Sequence, residues 1–139
     1  MSRFLLVRVG PRCVGLALDQ VEEIIDLGDT HAVPAKTPAL RGIMPVNGRL
    51  VPVLHLASYL ADTGCPETRG VVGVLAGING RTLCLEVDDA DTLIETEVLP
   101  VPPGIDLPAR AVARHDGSVI PILDLDRLGE DLMNRGASL

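Results

Sequence analysis

Aromatic residues are almost absent from this chain, which has one Phe, one Tyr and no Trp among its 139 residues. Its core must therefore be built from aliphatic side chains, and the 47% of residues that are apolar supply enough of them for one ordinary domain. The same shortage removes the aromatic platform on which single-stranded nucleic acids stack. Because the net charge is −7 and no basic patch is present, nucleic acid is not an expected partner.

Long apolar runs are also missing. The longest uncharged stretches, such as residues 50–61, include His55, Ser58 and a proline and are too short to cross a bilayer. Arg3 and Arg8 interrupt the N-terminus, so a signal peptide is not expected either. The sequence therefore predicts a cytoplasmic protein that is not inserted in a membrane.

Cysteine is scarce, and the odd number of thiols argues against a disulfide framework. Cys13, Cys65 and Cys84 cannot all pair within one chain, and a reduced cytosol suits them best. Cys13 and Cys84 lie in apolar stretches, where a free thiol usually acts as a small buried hydrophobic group. Both side chains are accordingly expected to be buried.

An internal repeat is the main positive feature of the sequence. When the chain is shifted along itself by 69 residues, residues 47–56 fall on residues 116–125, with matching Asx-Gly and Pro positions. Arg41 falls on Arg110 by the same shift, and no gap is needed elsewhere. Two copies of 69 residues account for 138 of the 139, which indicates the duplication of one supersecondary unit.

Each copy reads as a series of short strands joined by tight turns. Runs of Val, Leu and Ile alternate with Gly, Pro and Asx-Gly pairs. The strongest hairpin signals are Asn47-Gly48, Asn79-Gly80 and Asp116-Gly117, because both residues of such a turn tolerate positive φ. Gly10-Pro11 occupies the place in the first copy that Asn79-Gly80 holds in the second.

Five strands and one short helix are predicted for each copy. The first copy has strands at 3–9, 12–18, 21–26, 40–46 and 49–55, a Pro-containing loop at 27–39 and a helix at 56–61. The second copy has strands at 70–77, 81–87, 89–95, 110–115 and 118–124, a loop at 96–109 and a helix at 125–134. So few short strands favour a small barrel in each copy. Pro52 and Pro121 are expected at a sheet edge or a bulge, because proline cannot donate to a ladder.

Several segments, taken in order, resemble the CheW-like domain of bacterial chemotaxis. The family pattern reads roughly V-x-E-I, P-x-x-P, G-x-x-N-L-R-G and x-x-P-V-x-D-L. The matching segments here are residues 21–24, 41–48 and 51–56 in the first copy, and residues 87–90, 116–117 and 121–125 in the second. The resemblance covers about 130 residues, essentially the whole chain.

This resemblance implies an all-β fold made of two Src-homology-3-like five-stranded β-barrels, with short helices after the P-V-x-x-L strands. It implies one CheW-like domain over residues 1–139, with approximate barrels at 1–69 and 70–139. Whether the barrels exchange strands across the repeat boundary is left open. A non-enzymatic adaptor without cofactor or metal is implied. Its partners would be the regulatory domain of the histidine kinase CheA and the cytoplasmic tip of chemoreceptors, in receptor arrays at the inner face of the membrane.

The resemblance also implies a partner-binding surface. Its candidate residues are Val21, Glu23, Ile24, Gly42, Val46, Asn47, Gly48 and Arg49. A structural interpretation competes for the first of these segments, with Ile24 pointing into the core and Glu23 as its solvent-facing neighbour. Asn47 stands where the family has Arg, and His55 where it has Asp. These departures leave open a different partner, in surface motility or polar localisation.

Enzymatic alternatives rest on a few residues. His55 and Ser58 are three positions apart, with Asp62 nearby, which is a spacing that could serve a small hydrolase; Cys65 could serve a thiol enzyme. No nucleophile elbow accompanies them, and a catalytic triad is a matter of geometry. The sequence therefore favours no catalytic residue.

Metal sites are disfavoured by spacing. His31, His55 and His115 are too far apart in sequence to form the paired ligands of a zinc site. The acidic run formed by Glu86, Asp88, Asp89 and Asp91 lacks the glycine and ligand spacing of a calcium loop. This run is expected to be a solvated face.

Overall fold

The computed structural model describes residues 1–34 and 37–135. In chain order its strands are β1 (Ser2–Val9), β2 (Arg12–Ala17), β3 (Val21–Asp26), β4 (Leu40–Val46), β5 (Arg49–His55), β6 (Val72–Ile78), β7 (Arg81–Val87), β8 (Asp89–Thr96), β9 (Ala109–His115) and β10 (Ser118–Leu123). One α-helix follows the last strand of each copy, α1 (Leu56–Ala61) in the first and α2 (Leu125–Asn134) in the second. The strands and helices lie close to their predicted bounds.

The hairpin turns have the backbone geometry that their sequences predict. The residues with positive φ in these turns are Asn47 (50°), Gly48 (78°), Asn79 (52°), Gly80 (77°), Asp116 (49°) and Gly117 (77°). Two consecutive residues of positive φ are the signature of a type I′ turn, whose twist matches that of the strands it joins. The three predicted Asx-Gly turns are therefore confirmed.

The ten strands form two five-stranded sheets. One has the strand order β3-β6-β7-β5-β4 and is called barrel one below; the other, β8-β1-β2-β10-β9, is called barrel two. Each barrel takes three strands from one copy of the repeat and the first two strands of the other copy. Residue 69 therefore separates the repeats in sequence but does not separate the two barrels in space.

The strand pairing has two-fold pseudosymmetry. In barrel one, Ile24 pairs with Val74. Moving each of these residues by 69 positions to the other copy gives Leu93 and Leu5, which are paired in barrel two. The shift relates the remaining ladders in the same way, so the duplication is preserved at the level of single residue pairs.

Each sheet is strongly curved. The loop that follows the strand at one end of the sheet order contacts the strand at the other end. His31, after β3, forms an antiparallel bridge with Ile43 of β4, and Leu99, after β8, does the same with Val112 of β9. These bridges bring the two ends of each sheet together. The fold is a pair of Src-homology-3-like barrels, as expected from the sequence.

The largest core lies where the exchanged strands meet. It draws mainly on β1, β2, β6, β7 and both helices, with one residue each from β5, β8 and β10. Its largest fully buried side chains are Leu5, Leu16, Leu54, Leu56, Ile78, Leu83, Leu85, Leu123, Leu125 and Leu128. Smaller clusters fill each barrel. Because both copies contribute to the central core, neither half can bury its apolar surface alone.

Both prolines lie in interior strands and pair outside the register shifts, Pro52 with Ile43 and Pro121 with Val112, so the prediction of a sheet edge or a bulge is wrong. β5 lies between β7 and β4, and β10 lies between β2 and β9. The parallel ladders that these strands form begin one residue after each proline, at Val53 and Ile122. The missing N–H of Pro52 or Pro121 therefore removes no bond from those ladders.

The cysteines are all free, but only one matches its expected environment. Cys84 is buried in barrel one, and burial raises its pKa to about 12. Cys13 is exposed, so the prediction that it is buried is wrong. It lies near the start of β2, one residue before the buried part of that strand.

Candidate protein-interaction site

The outer strand β3 presents two of the candidate residues to solvent. Glu23 is exposed, and Ile24 is 46% exposed. Val21 is half-buried and packs against the central core. The structural interpretation in which Ile24 points into the core is therefore wrong, since Ile25 is the more buried of the two isoleucines.

The tip of the β4–β5 hairpin is a second exposed feature of barrel one. Asn47, Gly48 and Arg49 are exposed, and the adjacent Leu50 side chain is 66% exposed. Sequence reasoning did not include Leu50. A single exposed leucine is common on protein surfaces, but here it adjoins an arginine at the tip of a rigid turn.

The two remaining candidates, Gly42 and Val46, are buried in β4 and do not reach the exposed tip of the hairpin. Val46 is 8% exposed and belongs to the core of barrel one. Gly42 is buried and has a φ of 149°, and a Cβ atom there would lie 2.2 Å from the carbonyl oxygen of His31. Only glycine lets the loop backbone cross β4 this closely. Gly42 and Val46 thus position the hairpin instead of offering a contact surface.

The second copy keeps the same exposed apolar positions. Leu93 corresponds to Ile24 and is 63% exposed, and Val119 corresponds to Leu50 and is 51% exposed. Both barrels therefore carry an apolar residue on their outer strand and another beside their hairpin tip. The chain offers two related surfaces with different charged neighbours.

A buried ion pair lies in barrel one, and sequence reasoning missed it. Glu86 is 2% exposed, and its Oε1 and Oε2 atoms accept from Nε and Nη2 of Arg41 at 2.6 and 3.0 Å. The Gly70 N–H donates to Oε2 at 2.8 Å. The interpretation of the acidic run as a solvated face is therefore wrong for Glu86, whose charge is held by a bidentate arginine.

Arg41 also ties down the segment that joins the two copies. Its Nη1 donates to the carbonyl of Pro66 at 3.0 Å and its Nη2 to that of Thr68 at 3.3 Å. The hydrogen bond to Glu86 is the main reason that the pKa of Arg41 is raised, against a smaller lowering by burial. One arginine thus connects β4, β7 and the linking segment.

The family of the chain follows from a comparison of its sequence with known families. A sequence model of the CheW-like domain matches residues 3–133. The chain belongs to the CheW-like domain family. No curated protein matches the CheW-like chain closely enough to count as a relative.

A solved structure agrees with the fold of this CheW-like domain. It is the crystal structure of the scaffolding protein TtCheW from Thermoanaerobacter tengcongensis, with a TM-score of 0.80 and 20% sequence identity. The match covers 91% of this chain and 86% of that one. At this identity the likeness concerns the fold alone.

His55 and Ser58 come together in this CheW-like domain, as the hydrolase hypothesis requires, but they form a helix cap. The Ser58 N–H donates to Nδ1 of His55 at 3.2 Å, and the Ser58 hydroxyl lies 2.6 Å from the same nitrogen. In the second copy, Asp124 accepts from the N–H of Arg127 at 3.1 Å in the equivalent cap. The interaction belongs to helix initiation, and histidine takes the role of the usual aspartate.

The remaining members of the hydrolase and thiol hypotheses are not assembled around this pair. Ser58 is 5% exposed. Asp62 ends α1 with a φ of 54°, and its carboxylate lies 3.9 Å from Arg135. Cys65 is half-buried, and burial raises its pKa, which is opposite to the shift that activates a thiol.

Two further properties of residues 1–34 and 37–135 bear on the kind of site present. No group of His, Cys, Asp and Glu side chains among them could hold a metal ion. None of the helices described is long and apolar enough to span a membrane. The exposed hairpin tip and the outer strand β3 remain the candidate site.

Proposed function

We propose that this CheW-like protein is a non-enzymatic adaptor that couples chemoreceptors to a CheA-type histidine kinase. Membership in the CheW-like family supports an adaptor role in chemotaxis. The observation that carries the proposal is the exposed tip of the β4–β5 hairpin, where Asn47, Gly48, Arg49 and Leu50 stand on a buried base.

The kinase-binding surface is assigned to this hairpin tip together with Glu23 and Ile24. Leu50 beside Arg49 and Ile24 beside Glu23 each combine an exposed apolar side chain with a charged one, which suits a small, reversible protein interface. Asn47 replaces the arginine of the family pattern, and Arg49, two residues later, provides a positive charge on the same turn. Binding to the kinase through this surface does not require an arginine at position 47.

The binding site for the receptor tip is assigned to the groove beside the two helices. A cavity of about 430 Å³ is lined there by residues of α1, α2 and the loop before β9. Tyr59 of α1 donates to Asp131 of α2 at 2.6 Å, so the helices hold each other across the junction of the barrels. A helical hairpin with polar side chains fits the charged walls that Asp106, Arg127 and Arg135 provide.

A different partner, in surface motility or polar localisation, is the alternative function. This alternative would use the same surfaces and would differ from kinase coupling only in the protein that is bound. Titration calorimetry with the regulatory domain of a CheA-type kinase, and separately with a coiled-coil fragment of a chemoreceptor tip, tests the proposal. Micromolar binding of both is expected, and failure of both would contradict kinase coupling.

A charge reversal gives the matched control. Glu23→Lys is expected to weaken kinase binding, whereas Thr92→Lys at the equivalent exposed position of β8 is expected to leave it unchanged. Both sites are exposed, so each change should alter the free energy of unfolding by less than about 0.5 kcal/mol. Loss of folding in Glu23→Lys would instead assign Glu23 a structural role.

A further inference from the structure

Each barrel carries an arginine in a β-bulge. In barrel one the register shifts between Leu40 and Gly42, which leaves Arg41 as the extra residue. In barrel two the same shift leaves Arg110 as the extra residue, between Ala109 and Ala111. A bulge turns the side chain of its extra residue away from the regular alternation, and bulges of this kind are common beside binding sites.

The two arginines meet different surroundings. The Arg41 side chain is 11% exposed and holds Glu86 of β7. In barrel two the residue equivalent to Glu86 is Ala17 of β2, which offers no carboxylate. Arg110 is exposed, and within residues 1–34 and 37–135 no carboxylate forms an ion pair with it.

A cavity lies beside Arg110. Its volume is about 300 Å³, and its walls include Arg3, Phe4, Ala17, Leu18, Asp19 and Arg110. Ala17 and Arg110 line it together, and the residues equivalent to them in barrel one are Glu86 and Arg41, which form the buried ion pair. Two arginines and one aspartate leave the walls with an excess of one positive charge.

We propose that this cavity binds the carboxylate of a glutamate or aspartate side chain on a partner protein, with Arg110 holding it as Arg41 holds Glu86. The guanidinium fork matches a carboxylate in a bidentate arrangement, and barrel one shows that arrangement on the same bulge. This proposal rests on the proposed adaptor function in one respect only: the carboxylate is taken to belong to a partner protein.

The site can be tested without any partner, by titrating the isotope-labelled protein with N-acetyl-L-glutamate amide and recording amide shifts by NMR. Saturable shifts around Ala17 and Arg110 are expected, with half-saturation on the order of 10 mM for a single charge-assisted pair. N-acetyl-L-glutamine amide should give no saturable shift there. Equal shifts with both compounds, or none with either, would overturn the proposal.

Matched variants separate the site from general charge effects. Arg110→Gln is expected to weaken binding by about tenfold, whereas Arg114→Gln, an equal loss of charge at another exposed position of β9, should change it by less than about twofold. Equal losses in the two variants would reduce the effect to net charge and overturn the proposal.

A third variant rebuilds the arrangement of barrel one. Ala17→Glu should place a carboxylate in the cavity and abolish binding of the glutamate compound, while the shifts of Arg110 in the free variant move toward those of the saturated protein. Unchanged binding by a folded Ala17→Glu variant would show that the compound binds elsewhere. Because no kinase or receptor is used, failure here leaves the adaptor function to its own calorimetric test.

Discussion

The two barrels share strand order, register and bulges, but they differ in what their bulge arginines meet. Barrel one encloses Arg41 against Glu86 and the linking segment, whereas barrel two leaves Arg110 beside an open cavity lined by Ala17. Backbone pairing has therefore been kept in both copies while the chemistry of one position has diverged.

The two barrels also differ in core packing, where a smaller residue on one strand is compensated by a larger residue on its neighbour. Val53 pairs with Cys84 in barrel one, and at the equivalent positions Ile122 pairs with Gly15 in barrel two. A Cβ atom on Gly15 would lie 2.5 Å from Cδ1 of Ile122, so the larger isoleucine occupies the space that the glycine frees. The total volume is roughly kept, as a close-packed core requires.

The largest difference between the barrels is expected in the change of the free energy of unfolding when their bulge arginines are replaced. Arg41→Ala leaves Glu86 buried and unpaired, which should lower the free energy of unfolding by roughly 3 to 5 kcal/mol. Arg110→Ala removes an exposed side chain and should change it by less than about 0.5 kcal/mol. Urea denaturation of both variants measures the difference.

A second change sharpens this contrast. Replacing Glu86 with Ala in the Arg41→Ala background removes the unpaired carboxylate and should recover part of the loss. Equal destabilisation by Arg41→Ala and Arg110→Ala, or no recovery in the double variant, would show that the buried charge is not what separates the barrels.

The next difference in stability is expected at Gly42, where the loop that contains His31 crosses β4. Gly42→Ala should destabilise the protein by roughly 2 to 3 kcal/mol, because the new Cβ atom meets the His31 carbonyl at a positive φ. The equivalent residue in barrel two is already Ala111, and Ala111→Gly should cost only about 0.5 to 1 kcal/mol. Thermal unfolding of the two variants tests this, and a tolerated Gly42→Ala would contradict the close crossing.

The hairpin turns should show no contrast. Gly48 and Gly117 have φ values of 78° and 77°, so valine at either position should lower the free energy of unfolding by a similar amount, roughly 1 to 2 kcal/mol. Denaturation midpoints of Gly48→Val and Gly117→Val measure it. If only one midpoint moves, the turns are not equivalent.

The helix caps should differ in chemistry but hardly in energy. His55→Ala and Asp124→Ala each remove the acceptor of one helix-terminal N–H and should each cost about 1 kcal/mol. His55→Asp restores an acceptor, but it places a second carboxylate near Glu86, whose Oε2 lies 3.9 Å from Nε2 of His55. Stability in the order wild type, His55→Asp, His55→Ala would support the cap, whereas no loss in His55→Ala would argue against it.

Local signals in the sequence were sufficient for most of the secondary structure. The Asx-Gly pairs define three turns because their geometry demands positive φ, and the 69-residue shift locates the equivalent strands. Strand pairing between copies could not be predicted in this way. Because the two copies have nearly the same pattern, β3 and β8 are equivalent partners for β6, and the local sequence does not distinguish them.

The site was less accessible to sequence reasoning. Ile24 is exposed and Ile25 is half-buried on β3, and two adjacent isoleucines carry no signal of which one faces the core. The burial of Glu86 depends on Arg41, which is 45 residues away in sequence. The one signal for it was a glutamate in the apolar run Leu-Cys-Leu-Glu-Val, at the position where the first copy has Ala17.

If barrel one binds the kinase, a change at its hairpin tip should weaken binding more than the equivalent change in barrel two. Calorimetric affinities for the regulatory domain of a CheA-type kinase should be measured for the wild type, Leu50→Asp and Val119→Asp, which alter equivalent exposed positions of the two barrels. We expect Leu50→Asp to weaken binding by about tenfold or more and Val119→Asp to change it by less than about twofold. Loss of binding in Val119→Asp alone, or in neither variant, would contradict this expectation.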